Sequence, residues 1–276
     1  MAGHGPRRIV CLTEEPTETL YLLGEEARIV GISGFTVRPP RARREKPKVS
    51  AFTSARIERI LDLRPDFVIG FSDIQAPIAA ELIGKGIEVW IANHRSVEGI
   101  LDYVLRLGGL VGRPGRARRL VDAWRRALDA CAARAAARGV RPRVYFEEWD
   151  EPRISGIQWV SELVRVAGGE DLFPELAGQP LARGRILADD RALLERDPEI
   201  VIGSWCGKKF RPERVAARPG WDRVRAVRDG ELHEVPSPLI LQPGPAALTD
   251  GLAALERIIA GWAERRHRRD GGQREL

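Results

Sequence analysis

The stretch PGRARRLVDAWRRALDACAARAAARG, residues 114–139, decides how the chain is divided. Pro114 and Gly115 open it, Gly139 closes it, and the residues between are dominated by the strong helix formers Ala, Arg and Leu. Leu120, Ala123, Trp124, Ala127 and Leu128 recur at i, i+3, i+4, i+7 and i+8, which predicts one apolar stripe. At about 1.5 Å per residue such a helix spans ~35 Å, roughly the width of a small domain. It reads as a stiff rod, 114–139, between an N-terminal part, 1–113, and a C-terminal part, 140–276. The alternative is an ordinary crossover helix inside one large sheet.

Outward from this rod, both flanks alternate short apolar β-rich runs with helical patterns. Residues 8–12, 29–32, 67–70 and 88–92 read as buried strands of a parallel sheet before it, and 143–146, 200–203 and 231–235 after it. Helices are predicted at 54–63, 75–85, 159–167, 190–196 and 246–265, with one more opened by Thr17 and closed by Gly24. This alternation predicts an α/β layer fold. The two flanks also echo each other: IERILDLRPDFVIG (57–70) and DRALLERDPEIVIG (190–203) share a helix turn, a Pro, an acidic residue and a closing VIG at equal spacing. The pattern is common in α/β proteins, so the choice between duplication and coincidence stays open at this point.

With 276 residues and 43% hydrophobic content, the chain has material for two cores. Its 45 basic residues outnumber 39 acidic ones, and the excess lies in runs at 38–44, 113–119 and 265–269. These read as solvated faces; a nucleic-acid footprint would call for stacking aromatics or a groove-reading motif, and none accompanies them. Cys11, Cys131 and Cys206 are far apart and form no CxxC pair, so neither a disulfide framework nor a zinc site is expected. The start, MAGHGPRRIVCLTEEP, has too short an apolar run for a signal-peptide core, and no stretch approaches a membrane span. A native Met1 therefore implies a cytoplasmic protein, and a trimmed signal implies a periplasmic or cell-surface one. No G-x-S-x-G, Walker loop, early GxGxxG or clustered set among His4, His94, His233 and His267 is present, so a binder rather than an enzyme is expected. The carboxylates of EEWDE (147–151) read as a solvated loop.

These segments, in their order, resemble the helix-spined class of periplasmic substrate-binding proteins. RIVCLTEEPTETLYLLGEEARIVGIS looks like that class's opening strand, helix and Val-Gly strand, with Pro39 and Pro40 following. KVSAFTSARIERILDLRPDFVIG, WVSELVRVAGGEDLF and RPGWDRVRAVRDGELHEVP resemble later landmarks, and EEWDEP with GSWCG most resembles the cobalamin-binding branch. The resemblance implies two Rossmann-like lobes joined by one long α-helix, with a ligand cleft between the lobes. It implies a substrate-binding protein of an ABC-importer type system, non-catalytic, with no intrinsic cofactor and cobalamin or another corrinoid as ligand. A siderophore or haem binder, or a cytoplasmic corrinoid- or metal-chelate-handling protein, is the alternative. Its partners would be the ligand and, if exported, a transporter permease; it would act as a monomer, without nucleic acid.

In such a fold the residues just after each strand face the ligand. Phe35, Phe52 and Phe71 follow three N-terminal strands and would form a flat apolar wall, although core packing explains each equally well. Opposite them stand Trp149, Arg153, Trp159, Arg185, Trp205 and Cys206, with Trp205 and Trp149 favoured because a bulky residue in a Gly-rich loop is poorly explained by a core. Arg153, Arg183 and Arg185 would suit a carboxylated or phosphorylated ligand, or simply face water. Cys206 or His94 could reach a metal centre carried by the ligand, though a lone Cys or His at such a place is more often structural. By the same resemblance Glu58 would dock an arginine of the permease. The equivalent place in the second copy holds Arg191, leaving Asp190 to serve by a one-residue shift.

Overall fold

A computed structural model describes residues 5–272; His4 lies outside them, as do residues 1–3 and 273–276. The chain forms two compact units. The first comprises Met1–His94, Glu98–Ala123 and Gln242–Pro245; the second comprises Arg95–Val97, Trp124–Leu241 and Ala246–Leu276.

The first unit is a parallel sheet of β1 (Ile9–Cys11), β2 (Ile29–Ser33), β3 (Lys48–Ser50), β4 (Phe67–Phe71) and β5 (Val89–Ala92), in the order β3-β2-β1-β4-β5. Helices connect successive strands, as parallel pairing requires. Val10, Leu12, Val49, Ile60, Val68, Ile78 and Leu82 form its core, which is why these strands read as continuous apolar runs. The helix after β1 runs Glu14–Leu23, three residues earlier than Thr17 predicts, because Pro16 sits in the first turn where its missing N–H costs nothing. Gly24 closes it in the left-handed region with φ 74°.

The second unit contains β6 (Arg143–Asp150), β7 (Arg153–Ser155), β8 (Glu170–Asp171), β9 (Ile200–Gly203) and β10 (Leu232–Glu234), in the order β10-β9-β6-β7. One edge of β6 is shared: β8 runs parallel to its first residues and β7 runs antiparallel to its last. Residues 147–151 therefore belong largely to a strand and its hairpin, not to the solvated loop expected. Consecutive carboxylates gave no hint that β6 continues through them.

The repeat is visible in three dimensions. Helix Ile57–Asp62 leads to β4, which lies between β1 and β5; helix Arg191–Arg196 leads to β9, which lies between β6 and β10. The match extends to the backbone: Arg64 (φ 46°) and Asp197 (φ 43°) are both left-handed, and each immediately precedes a proline. The closing glycines are both obligatory, for different reasons. A Cβ at Gly70 would sit 2.3 Å from Gln75 Oε1, and one at Gly203 would sit 1.8 Å from the Phe210 ring.

The long helix is Pro114–Ala137, of 24 residues. Its buried stripe is Ala117, Val121, Trp124, Leu128, Cys131 and Ala135. Ala123 and Ala127, expected in the stripe, are exposed; alanine is too small to mark a face, whereas Val121 and Cys131 on the true face were passed over. Ala117 also meets Gly108, where a Cβ would lie 2.3 Å from its own, so the glycine admits a close helix approach. No helix among the described residues is long and apolar enough to cross a membrane.

Candidate functional site

In the first unit, the loops following the carboxyl ends of the strands carry the candidate residues. Phe35, after β2, is 56% exposed. Its loop is held by Arg43, whose Nη1 donates to Gly34 O at 2.6 Å, and by Ser33 Oγ, which accepts from the Phe35 amide at 3.2 Å. Phe52, after β3, is half-buried. The fully buried Gln75 places it: Nε2 donates to Phe52 O and Oε1 accepts from the Phe71 amide, both at 3.0 Å. Phe71 itself is only 6% exposed and sets its edge against the His94 ring at 5.3 Å. Phe71, expected in an apolar wall, is thus buried within its unit. His94 in turn stacks on Tyr103 at 4.7 Å and bonds Pro243 O through Nε2 at 2.7 Å.

Sequence reasoning passed over the acidic run after β1. Glu14, Glu15 and Glu18 are all buried. Thr13 Oγ1 donates to Glu15 Oε1 at 2.5 Å, Arg38 pairs with Glu18 at 2.8 Å, and Glu15 Oε2 has no partner. Burial, with repulsion from Glu15 and Glu18, pushes the Glu14 carboxyl up to about 8, and burial pushes Glu15 up to about 7. A carboxylate-rich segment directly after a strand was the available signal.

The second unit is built differently. Glu147, fully buried in β6, accepts two bonds from Arg218 at 2.7 and 2.8 Å, one from Tyr145 at 3.1 Å and one from Trp205 Nε1 at 3.0 Å. Trp205 is 2% exposed and packs edge-on to Phe210 at 5.0 Å, within a core that also holds Tyr145, Phe173 and Trp221. The expectation that Trp205 lines a ligand wall is therefore corrected. The glycines beside it let the loop fold back, and Phe210 occupies the space above Gly203. Trp159 is likewise buried, its Nε1 donating to Ile240 O at 2.8 Å.

The basic candidates are internally matched. Arg185, 2% exposed, pairs with Glu148 at 2.5 and 3.1 Å and donates to Ser155 O at 2.5 Å. Arg153 pairs with Asp190, which also accepts from Trp221 Nε1 at 2.9 Å. Asp190 is thus engaged inside its unit, and the acid exposed ahead of helix Arg191–Arg196 is Asp189. Glu58 is exposed in the first turn of its helix. Lys208 pairs with Asp150 and lies 4.1 Å from the half-buried Trp149 ring and 5.1 Å from Trp205, bringing those two tryptophans around one ammonium. Cys206 is exposed in the same turn. Among the described residues no group of three or more His, Cys, Asp or Glu side chains could hold a metal ion.

The sequence profile of the periplasmic binding protein family matches residues 9–239. The chain belongs to that family. Among curated relatives, the vitamin B12-binding protein of Vibrio parahaemolyticus is 25% identical over 207 residues, 74% of this chain and 73% of its own. An ABC transporter substrate-binding lipoprotein of Bacillus subtilis is 22% identical over 92% of this chain and 80% of its own. Among solved structures, a periplasmic heme binding protein of Pseudomonas aeruginosa aligns with a TM-score of 0.80 and 25% identity, covering 92% of each chain. Membership makes this chain a solute-binding protein of the ABC-transporter type and not an enzyme. The two α/β sheets with a long connecting helix are the architecture that the resemblance predicted.

Proposed function

We propose that this periplasmic binding protein captures a corrinoid, with Phe35 and Phe52 supplying apolar area to the macrocycle and Trp149 the corresponding surface of the second unit. The reading rests above all on Phe35, a large aromatic left more than half exposed at a strand end. Curated relatives named for vitamin B12 support it. Arg153, Trp159, Arg185 and Trp205 serve in this reading as the frame that holds those surfaces. Cys206 is the exposed thiol nearest to them in sequence.

One feature favours a corrinoid over haem: Arg153 and Arg185 are neutralised by Asp190 and Glu148, so these two offer no charge to propionates, whereas amide-bearing corrinoid edges ask for none. The exposed Cys206 and Arg183 are the side chains through which haem would instead be held, by iron and by propionate, and the titration below separates the two ligands.

The protein would act as a monomer outside the cytoplasmic membrane, delivering its ligand to a permease through Glu58 on the first unit and an acid near Asp190 on the second. The test is an absorbance titration with aquacobalamin, cobinamide and haem. Corrinoid binding at micromolar or better, weakened at least tenfold by combined Phe35→Ala and Phe52→Ala (about 1.4 kcal/mol), is expected. Haem binding with no corrinoid binding would sink the assignment.

A further inference from the structure

The first unit contains a cavity of about 440 Å³ where helix Glu14–Leu23 ends and helix Pro114–Ala137 begins, bordered by Leu23, Gly24, Arg113, Gly115, Arg116 and Arg119. It lies at the amino-terminal side of the sheet, since the chain leaves it through Arg28 directly into β2. No carboxylate lines it. Glu25, 5% exposed beside it, is already shared between Arg28 and Arg113, and Arg28 spends its remaining donors on Pro6 O and Val111 O. Arg116 and Arg119 have no ion-pair partner among the described residues. They lie three apart on one helix, so their like charges repel.

A second arginine-rich cavity, of about 250 Å³ in the other unit, shows what this chain does when arginines are structural. There Arg225 and Arg266 pair with Glu199, Arg265 pairs with Glu231 at two points and Arg269 pairs with Asp229. Every guanidinium in that cavity is answered by a carboxylate. The cavity of the first unit keeps its positive charge and its space. Three glycines leave it open, and a Cβ at Gly24 would come within 2.8 Å of Arg116 Nη1.

We infer that this cavity is an anion site that takes a phosphate-bearing group, held between Arg116 and Arg119 with Arg113 at its rim. Guanidinium groups grip phosphate oxygens through paired donors, which matches two forks arriving from one helix face. The volume exceeds that of a phosphate alone, leaving room for what carries it. The group arrives either on a soluble molecule or as a lipid headgroup. The site is independent of the corrinoid reading.

The probes are sodium pyrophosphate, by calorimetry at low ionic strength, and phosphatidylcholine vesicles with and without phosphatidate, by co-sedimentation. The full chain is compared with R116Q/R119Q and with the charge-matched pair R44Q/R211Q, whose arginines are exposed elsewhere. Pyrophosphate binding weakened at least tenfold in R116Q/R119Q, and unchanged in R44Q/R211Q, establishes a site for a soluble phosphate. The same pattern with phosphatidate vesicles only establishes a headgroup site. No binding of either probe, or equal loss in both pairs, overturns the inference. Unaltered melting of the variants shows that the fold is intact.

Discussion

The strand ends of the two units present opposite chemistries on the same helix-to-strand frame. The first unit carries an exposed and a half-buried phenylalanine after β2 and β3 and buried carboxylates after β1. The second buries Trp159, Trp205 and Trp221, leaves Trp149 half-buried, and covers its strand ends with matched ion pairs: Arg218 with Glu147, Arg185 with Glu148, and Lys208 with Asp150. The same helix-to-strand frame thus carries loops of different character, one with exposed aromatic area and one braced by ion pairs. Aromatic residue type alone did not say which unit would expose its rings; three buried indoles of the second unit have an internal acceptor, Glu147 for Trp205, Asp190 for Trp221 and the Ile240 carbonyl for Trp159.

The largest expected effect tests the braced side. Arg218→Ala leaves Glu147 fully buried without its counter-charge and should destabilise the second unit by about 3–5 kcal/mol in denaturant unfolding. A loss below about 1 kcal/mol would mean that Tyr145 and Trp205 alone satisfy the carboxylate.

The next separates the units by pH. Glu14 and Glu15 hold their protons to higher pH in the folded chain than in the unfolded one, so the folded state binds more protons between about 5 and 8. Stability is full below the unfolded value and falls as pH rises through the folded ones, by on the order of a few kcal/mol. Melting curves across that window should show this loss, and E14Q/E15Q should flatten it. A slope unchanged in the double variant would place the protons elsewhere.

A finer contrast concerns the two left-handed residues. Asp197 Oδ1 accepts from the Arg225 amide at 2.8 Å, so Asp197→Gly should cost about 1 kcal/mol despite relieving the backbone. The Arg64 side chain has no such bond among the described residues, and Arg64→Gly should be neutral or stabilising by up to about 1 kcal/mol. Equal effects at both sites would show that the backbone conformation alone matters. The smallest effect is Phe35→Ala, which should leave the free energy of unfolding unchanged to within about 0.5 kcal/mol while weakening ligand binding.

The fold was largely legible because its signals are local and redundant. Apolar runs such as residues 67–70 and 200–203, each preceded by a helix and a proline, name a buried parallel strand whatever lies beyond them. The long helix announced itself through Pro114, Gly139 and the alanines between. The site was less legible because exposure depends on partners distant in sequence. Trp205 is buried by Glu147, 58 residues away, and Phe210. Arg185 and Arg153 are paired with Glu148 and Asp190, each 37 residues away, which no local pattern announces. Gln75, which ties two loops together, has nothing in its surroundings to mark it.

The last residue of each VIG has a consequence for how this molecule can change. Gly70 is kept bare by an amide oxygen and Gly203 by a benzyl ring, two obstacles with no common origin. A side chain at either place would meet a collision, so the glycine that ends each VIG is held there by packing, for reasons unrelated to any ligand.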